Sequence, residues 1–347
     1  MTFTFDEIFE LLEGRSDYWL YEQADKVKTK VYGNTVYLRG IIENTNICAR
    51  NCLYCGIRAQ NEALKRYQLT SDEIMDCARQ IREQGLKSIV IQSGENQTVT
   101  DRDIARICRR IKQETGADIT LSLGEKAAET YRLWKESGAD RYLLKVETLQ
   151  EDLYRALHPG YELKSRIKCV ENLKNLGYQV GSGFIAGLPG YTAKMLAADL
   201  KELVQIGVHM FSLTPFVHAQ NTPLENHPNG NMDIVYRSMA IYRLMAPDTN
   251  IPVASACASL DTESKEKGLK RGANVLMLSY TPDKNRQQYA LYEGKNTAYN
   301  ERPTDLKNLV DLITDIGLNP GFEFGRSKYQ YKKTDENFEV ITNKKAG

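Results

Sequence analysis

The sequence predicts an α/β chain folded as a (β/α)8 TIM barrel, and three observations predict it. Short apolar runs rich in β-branched residues recur along the chain, amphipathic helical patterns separate them, and most of those helices stop at a glycine just before the next run. Near-continuous apolar runs suit parallel strands covered on both faces. Glycine accepts the left-handed backbone that ends a helix at little cost. Helix, glycine and strand therefore repeat as one unit, and eight such strands fit a closed barrel. An open doubly wound sheet is the alternative arrangement of the same units.

Two helical patterns, residues 5–12 and 18–30, precede the first strand and are expected to plug or brace the barrel's N-terminal face. The first strand covers 35–42. The next helix begins at Thr70 or Ser71, either of which suits an N-cap. Strand 88–93, helix 101–113, strand 118–123, helix 125–136 and strand 141–146 follow in order. Helix 163–175, strand 180–185, helix 191–205 and strand 210–215 continue the alternation. After helix 232–245 come two weaker strands, 251–255 and 275–279, and a last helix over 304–316. Gly85, Gly116, Gly138, Gly177, Gly207 and Gly272 supply the punctuation. The organisation expected is an N-terminal helical extension over 1–34, a barrel over 35–325 and a polar surface tail over 326–347.

The 347 residues are 41% hydrophobic and 26% charged, with a net charge of +1. That balance carries no nucleic-acid footprint. No apolar run approaches the roughly 20 residues that span a bilayer, so no membrane partner is expected. The acidic start lacks a signal-peptide pattern, and a reducing cytoplasm is the expected location. The cysteines number 7, an odd count spread through the chain, which argues against a disulfide framework. Cys77, Cys108 and Cys169 read as core residues inside helices. No two of His158, His209, His218 and His227 stand at metal-ligand spacing.

The loop after the first strand holds Cys48, Cys52 and Cys55 in C-x3-C-x2-C spacing, with no fourth cysteine near. An ordinary 4Fe–4S cluster takes one thiolate per iron. Three thiolates leave one iron open, and an open metal position is where a cofactor or substrate can react. As a zinc loop the same residues would make an incomplete structural site. Loops that follow barrel strands form the active face. Other strand ends bring polar groups toward it: Gln92-Ser93-Gly94-Glu95, then Thr120, Ser122 and Gly124-Glu125, then Lys145 and Glu147.

This pattern resembles the radical S-adenosylmethionine (SAM) superfamily, whose C-x3-C-x2-C signature carries an aromatic residue before the last cysteine, here Tyr54. The blocks NCLYCG, LKRYQLT, IVIQSGE, TLSLGE, GADRYLL, NLGYQVGSGFIAGLPG, NTPLEN and GANVLML further resemble the HydE family of FeFe-hydrogenase maturases. Biotin synthase and methylornithine synthase belong to the same wider group. The resemblance implies one 4Fe–4S cluster held by Cys48, Cys52 and Cys55, SAM on its open iron, and reductive cleavage of SAM to a 5′-deoxyadenosyl radical. It implies that Tyr54 lies near the adenine, that Ser93, Gly94 and Glu95 line the methionyl group, and that Glu147 contacts the amino group or ribose. It also implies that Arg166 pairs with the methionine carboxylate and that Ile185 and Leu188 pack near the adenosine. A guanidinium suits a carboxylate because it can donate two parallel hydrogen bonds.

The implied substrate is organometallic, an iron bearing cysteine, two carbonyls and a cyanide. The implied partners are HydG- and HydF-like maturases and a reducing electron donor such as flavodoxin or ferredoxin. An anionic substrate calls for cationic and hydroxyl donors inside the barrel, and Thr120, Ser122, Arg141, Lys145, Ser255 and Tyr280 are the candidates. Tyr289 and Tyr292 are candidates to close the mouth. The chain departs from the HydE pattern on this side. Lys145 stands where many members have arginine, which keeps the charge but not the fork. The segment Ile251-Pro-Val-Ala254-Ser255 has one hydroxyl fewer, and residues 294–304 lack the cysteines that some members use for a second cluster. Two further enzyme readings follow: a HydE-like enzyme with a different small thiol or amino-acid substrate, and a methylornithine-synthase-like mutase, for which an acidic residue would be expected at 254–256. A non-enzymatic iron–sulfur carrier would call for a small protein with four cysteine ligands.

Overall fold

The computed structural model describes residues 1–295 and 306–330. Its strands are β1 (Thr35–Thr45), β2 (Ser88–Ser93), β3 (Asp118–Ser122), β4 (Ala139–Leu143), β5 (Gln179–Ala186), β6 (Met210–Pro215), β7 (Val275–Ser279) and β8 (Asn319–Gly321). Its helices are α1 (Phe5–Leu12), α2 (Asp17–Tyr32), α3 (Ser71–Glu83), α4 (Asp101–Thr115), α5 (Ala128–Glu136), α6 (Glu151–Leu157), α7 (Leu163–Asn175), α8 (Ala193–Ile206), α9 (Met232–Met245), α10 (Ser255–Ala258), α11 (Ser264–Leu269), α12 (Asp283–Arg286) and α13 (Leu306–Asp315).

The ladder runs β6-β5-β4-β3-β2-β1-β7 with every pairing parallel, and β8 joins the start of β1. Residues 250–253 link the two free edges. Asn250 bridges to Met210 of β6 and Pro252 to Val275 of β7. The expected strand over 251–255 is therefore corrected to isolated bridges. Pro252 has no N–H to give a ladder, and Ser255 already opens α10.

Local chemistry sets the helix starts. Thr70 and Glu73 cap α3 reciprocally, each side chain taking the other's backbone N–H. Such a cap is worth about 1 kcal/mol. α4 ends at Gly116 with φ 65°, a backbone that glycine adopts without strain. The expected helix over 125–136 begins only at Ala128: Ala127 is extended (φ −64°, ψ 154°) and serves as the N-cap, and the Glu125 ahead of it is drawn to the site, its N–H donated to the Glu95 carboxylate at 3.1 Å. α6 and the short α10, α11 and α12 have no counterpart in the sequence reading. The core lies between staves and outer helices, where Ile42, Ile89, Ile91, Ile119 and Leu121 are buried against Ile74, Ile81, Ile107 and Ile111.

Of the two expected roles for the N-terminal helices, plug or brace, the structure has them bracing: Lys28 and Tyr32 of α2 donate to the Leu269 and Asp248 carbonyls at 2.7 and 2.5 Å. α1 packs on α8 and α9, and α2 packs on α9, so both brace the outer layer. Residues 324–326 supply the plug. Arg141 donates to the Phe324 carbonyl at 3.1 Å, while Arg39 and Asn250 donate to the Gly325 carbonyl at 3.1 and 2.9 Å. Arg326 forms a bidentate pair with buried Asp118 at 2.7 and 2.9 Å. The tail thus begins docked, with Tyr329 edge-on to His209; residues 331–347, the rest of the expected tail, lie outside the described residues, as do 296–305.

Candidate active site

β1 carries the cysteine loop to the C-terminal end of the barrel, where it forms one wall of a cavity of about 310 Å³. That volume lies at the lower end of the roughly 300–1,000 Å³ typical of small-molecule sites. The loop is stitched down by backbone and arginine. The Ala49 N–H donates to the Glu95 carbonyl at 2.9 Å, and the Gly56 N–H to the Leu291 carbonyl at 2.8 Å. Arg66 donates to the carbonyls of Asn46, Ile57 and Arg58 at 2.7, 2.8 and 2.6 Å. Gly94 sits against the loop so closely that a Cβ there would stand 2.6 Å from Cys48 Cβ and 2.6 Å from the Ile47 carbonyl oxygen.

All three loop cysteines are free and line the cavity. Burial pushes each thiol up, Cys52 to about 12. Thiolates at this place therefore need a cation beside them. Among the described residues, no three Cys, His, Asp or Glu side chains converge on a point fit for a single metal ion.

Beside the cysteines lies a ring of alternating charge. Arg50, inside the loop, pairs with Glu95 at 2.6 Å and Glu125 at 3.1 Å. Arg166 of α7 lies 3.2 Å from Glu125 and 3.5 Å from Glu95. The Arg50 guanidinium also stacks 3.3 Å over the Tyr161 ring. Burial opposes the charge on Arg166, but Tyr154, Glu125 and Glu95 outweigh it and raise its pKa. Its Nε is buried and makes no hydrogen bond.

Opposite, Glu147 has φ 66°, an arrangement that costs a residue with a Cβ about 1–3 kcal/mol. The strand holds it there: its N–H donates to the Gly183 carbonyl at 2.9 Å and its carbonyl accepts from Ile185 at 3.1 Å. Lys145 Nζ stands 3.0 Å from Glu147 Oε2 and donates to Thr214 Oγ1 at 3.0 Å. The Glu147 contact is an ion pair by distance without hydrogen-bond alignment. Deeper in the wall, the fully buried Glu43 accepts from Ser279 at 2.6 Å, from Thr281, and from Lys295 at 3.1 Å. Burial pushes its carboxyl up, but Lys295 and the two hydroxyls prevail and its pKa is lowered. Tyr54 O–H lies 2.8 Å from His158 Nε2, and His158 Nδ1 lies 2.8 Å from the Tyr154 carbonyl. A carbonyl only accepts, so Nδ1 carries the proton and Nε2 accepts from Tyr54.

Residues 42–203 match the radical SAM superfamily. Over 309 residues the chain is 40% identical to the [FeFe] hydrogenase maturase subunit HydE of Thermotoga maritima, covering 89% of this chain and 88% of that protein. The chain belongs to the radical SAM superfamily. It is also 27% identical to the 3-methylornithine synthase of Methanosarcina barkeri, over 87% of this chain and 85% of that one. The structure of methylornithine synthase (PylB) superposes with a TM-score of 0.84 at 25% identity, over 92% of this chain and 95% of that one. The protein is accordingly a radical SAM enzyme, and enzymes of this superfamily use a 4Fe–4S cluster and SAM.

The residues present fit those two groups. Three cysteines share one wall without a preformed single-ion site, a glycine leaves room against Cys48, and a buried guanidinium nitrogen is left for an acceptor. Of the residues anticipated from sequence, the cavity brings together Cys48, Cys52, Cys55, Tyr54, Ser93, Gly94, Glu95, Glu147, Arg166 and Ile185. It also gathers Ser122, Lys145, Ser255, Tyr289 and Tyr292, with Ser255 and Tyr292 hydroxyls 2.7 Å apart.

Four anticipated residues are not in the cavity wall. Arg141 sits in the middle of β4, a layer below the cavity-lining Leu143. It is fully buried, donating to Thr120 at 3.1 Å and Ser88 at 2.7 Å, which also occupies Thr120. Tyr280 follows Ser279, which points inward to Glu43, so strand alternation sends the tyrosine outward, where its O–H meets Gln84 at 2.5 Å. Leu188 lies behind the wall, in one apolar cluster with Leu157, Leu224 and the cavity-lining Ile185 and Phe216. Sequence reasoning missed the site roles of Arg50, Glu43 and Lys295 and left Glu125 as a possible helix cap. An acid inside an apolar strand was a usable signal for Glu43, as was an arginine between two loop cysteines for Arg50.

Proposed function

We propose that this enzyme is a HydE-like maturase. In this reading it uses SAM to act on an iron complex bearing cysteine, carbonyl and cyanide on the way to the FeFe-hydrogenase cofactor. The observation that carries the reading is that Cys48, Cys52 and Cys55 share one cavity with Glu95, Glu147, Arg166 and Lys145, in a chain 40% identical to HydE over 89% of its length. When bound, the cluster and SAM supply one-electron reductive cleavage that yields the 5′-deoxyadenosyl radical.

The chain's own residues do the rest. Cys48, Cys52 and Cys55 would hold the cluster. Arg166, whose buried Nε has no acceptor in the protein, would pair with the SAM carboxylate, and Glu147 would contact the amino group or ribose. Arg50 fixes Glu95 and with it the backbone of Ser93 and Gly94 beside the methionyl group. Tyr54, held by His158, and Ile185 bound the adenosine side. Lys145, Thr214, Ser122, Ser255 and Tyr292 offer charge and hydroxyls to an anionic substrate, and Tyr289 closes the wall behind the cysteines. A reducing donor of flavodoxin or ferredoxin type, HydG- and HydF-like partners and a cytoplasmic setting belong to the same reading; among the described residues no helix is long and apolar enough to cross a membrane.

The test is to incubate reconstituted protein with SAM, reductant and the iron–cysteine complex under anaerobic conditions. An adenosyl adduct of the cysteine is expected. SAM cleavage that proceeds without any adduct would leave the radical chemistry standing and remove this substrate. A second reading, a different small thiol or amino-acid substrate, is favoured by one observation: the Lys145 ammonium is already engaged by Glu147 and Thr214. The same assay run on free thiols and amino acids decides between them.

A further inference from the structure

Asp199 is on α8, outside the barrel wall, and does not line the cavity, yet it is fully buried. Burying a carboxylate is costly unless its oxygens are met. Here four donors meet them. Oδ2 accepts from the Leu149 N–H at 2.8 Å, the Thr148 hydroxyl at 3.0 Å and the Tyr191 hydroxyl at 2.5 Å, and Oδ1 accepts from Gln150 Nε2 at 2.5 Å. None of these donors is a cation, and burial raises the Asp199 pKa. An apolar residue in the same space would leave those donors unmet, so the carboxylate is the group that gathers the chain after Glu147 onto α8.

The donors share a location. Thr148, Leu149 and Gln150 are the residues directly after Glu147, and Tyr191 belongs to the loop after β5. Glu147 holds a φ of 66°, which a residue with a Cβ keeps only where its surroundings over-determine it. Upstream and beside it, the Gly183 and Ile185 backbone supplies that hold. Downstream, Asp199 ties the chain to α8 within one residue of the strained position. The Thr148 hydroxyl adds a second tie, accepting the Gln150 N–H at 3.1 Å.

We propose that Asp199 is a positioning residue, which locks the chain after Glu147 and so keeps the Glu147 carboxylate facing the cavity for SAM. The inference rests on the reading of Glu147 as a SAM contact. It is tested by a double-mutant cycle on the anaerobically reconstituted enzyme. SAM affinity is measured by calorimetric titration for the parent, D199A, E147Q and D199A/E147Q, with thermal unfolding followed beside it.

Each single substitution is expected to weaken SAM binding by roughly fivefold or more, and the double to be no weaker than the worse single within about twofold, because both changes act at one point. A lowered melting temperature with unchanged SAM affinity would mean a merely structural role and would overturn the proposal. So would a double variant in which the two effects multiply. If E147Q binds SAM like the parent, the reading of Glu147 fails and the positioning role falls with it. If D199A does not fold, T148V/Y191F removes two donors, leaves the carboxylate, and enters the same cycle with the same outcomes.

Discussion

The Arg50 guanidinium, carried inside the cysteine loop, lies 2.6 Å from the Glu95 carboxylate at the end of β2. One ion pair thus joins the residues between Cys48 and Cys52 to the strand that faces them. Both side chains are largely buried, so the pair is weakly screened, and its loss leaves two buried carboxylates, Glu95 and Glu125, to share the single guanidinium of Arg166. Arg50→Met is expected to destabilise the fold by about 3–5 kcal/mol and to lower the iron retained after reconstitution. Arg50→Lys should lose less, since it keeps the charge and gives up the fork. Chemical denaturation and iron analysis of both variants check this; a methionine variant as stable as the parent would remove Arg50 from the scaffold.

Cys52→Ser removes one of three thiolates. Reconstituted parent protein is expected to hold about four irons, and the variant far fewer, with SAM cleavage lost. Iron content and 5′-deoxyadenosine formation are the readouts. Parent-like 5′-deoxyadenosine from the serine variant would sink the cluster assignment.

Arg166 has a buried Nε without a hydrogen bond in the protein. Arg166→Ala is expected to weaken SAM binding by about 2–4 kcal/mol, the scale of a lost charge-assisted pair in a buried site. Titration of SAM into the reconstituted variant measures it. An unchanged affinity would leave Arg166 with only its partners Glu95 and Glu125.

At the other end of the barrel, Asp118 is 1% exposed and lies 3.6, 2.7 and 3.6 Å from the cationic nitrogens of Arg141, Arg326 and Lys112. Asp118→Asn strands the buried Arg141 and is expected to cost about 3–5 kcal/mol in stability. SAM affinity of the folded protein should not move, because this layer lies below the cavity. A selective loss of SAM binding would place Arg141 back in the site.

His158 and His209 are buried, and burial lowers each to about 4. An unfolded imidazole titrates near ~6.5. As pH falls from 6.5 toward 4, the unfolded chain binds a proton that the folded one refuses, so stability is full above this window and is lost within it. Each histidine contributes up to about 3 kcal/mol to that loss. His158→Asn is expected to make the fall of the urea midpoint between pH 7 and pH 4.5 shallower than in the parent, with His209 retaining its share. Identical slopes would show that His158 titrates normally in the fold.

The legible part of this protein was local. Periodicity placed α1 within residues 5–12 and most other elements within a few residues, because a strand covered on both faces and a helix with one apolar stripe leave different spacings in the chain. C-x3-C-x2-C was readable because three thiolates in one short loop are close whatever the rest of the fold does. Elements failed where neighbours override propensity. Glu125 reads as the first turn of a helix, but it is held in the site by Glu95 and the backbone is still extended at Ala127, and the run 251–255 reads as a strand although Pro252 interrupts its ladder.

By itself the sequence determined the alternation of strand and helix, the cysteine loop, and the set of polar strand ends from which the site is drawn. Only the tertiary structure decided which of those ends share a cavity. Arg141 and Lys145 lie on one strand and its extension, four positions apart. Depth along the barrel sends the first to a buried layer under the Phe324 carbonyl and the second to the cavity. Glu43 meets Lys295 across 252 residues, and Arg141 meets Phe324 across 183. Such pairings depend on the register between staves and on where the chain returns to close the barrel. Those are set by the packing of the whole molecule, so no local spacing records them.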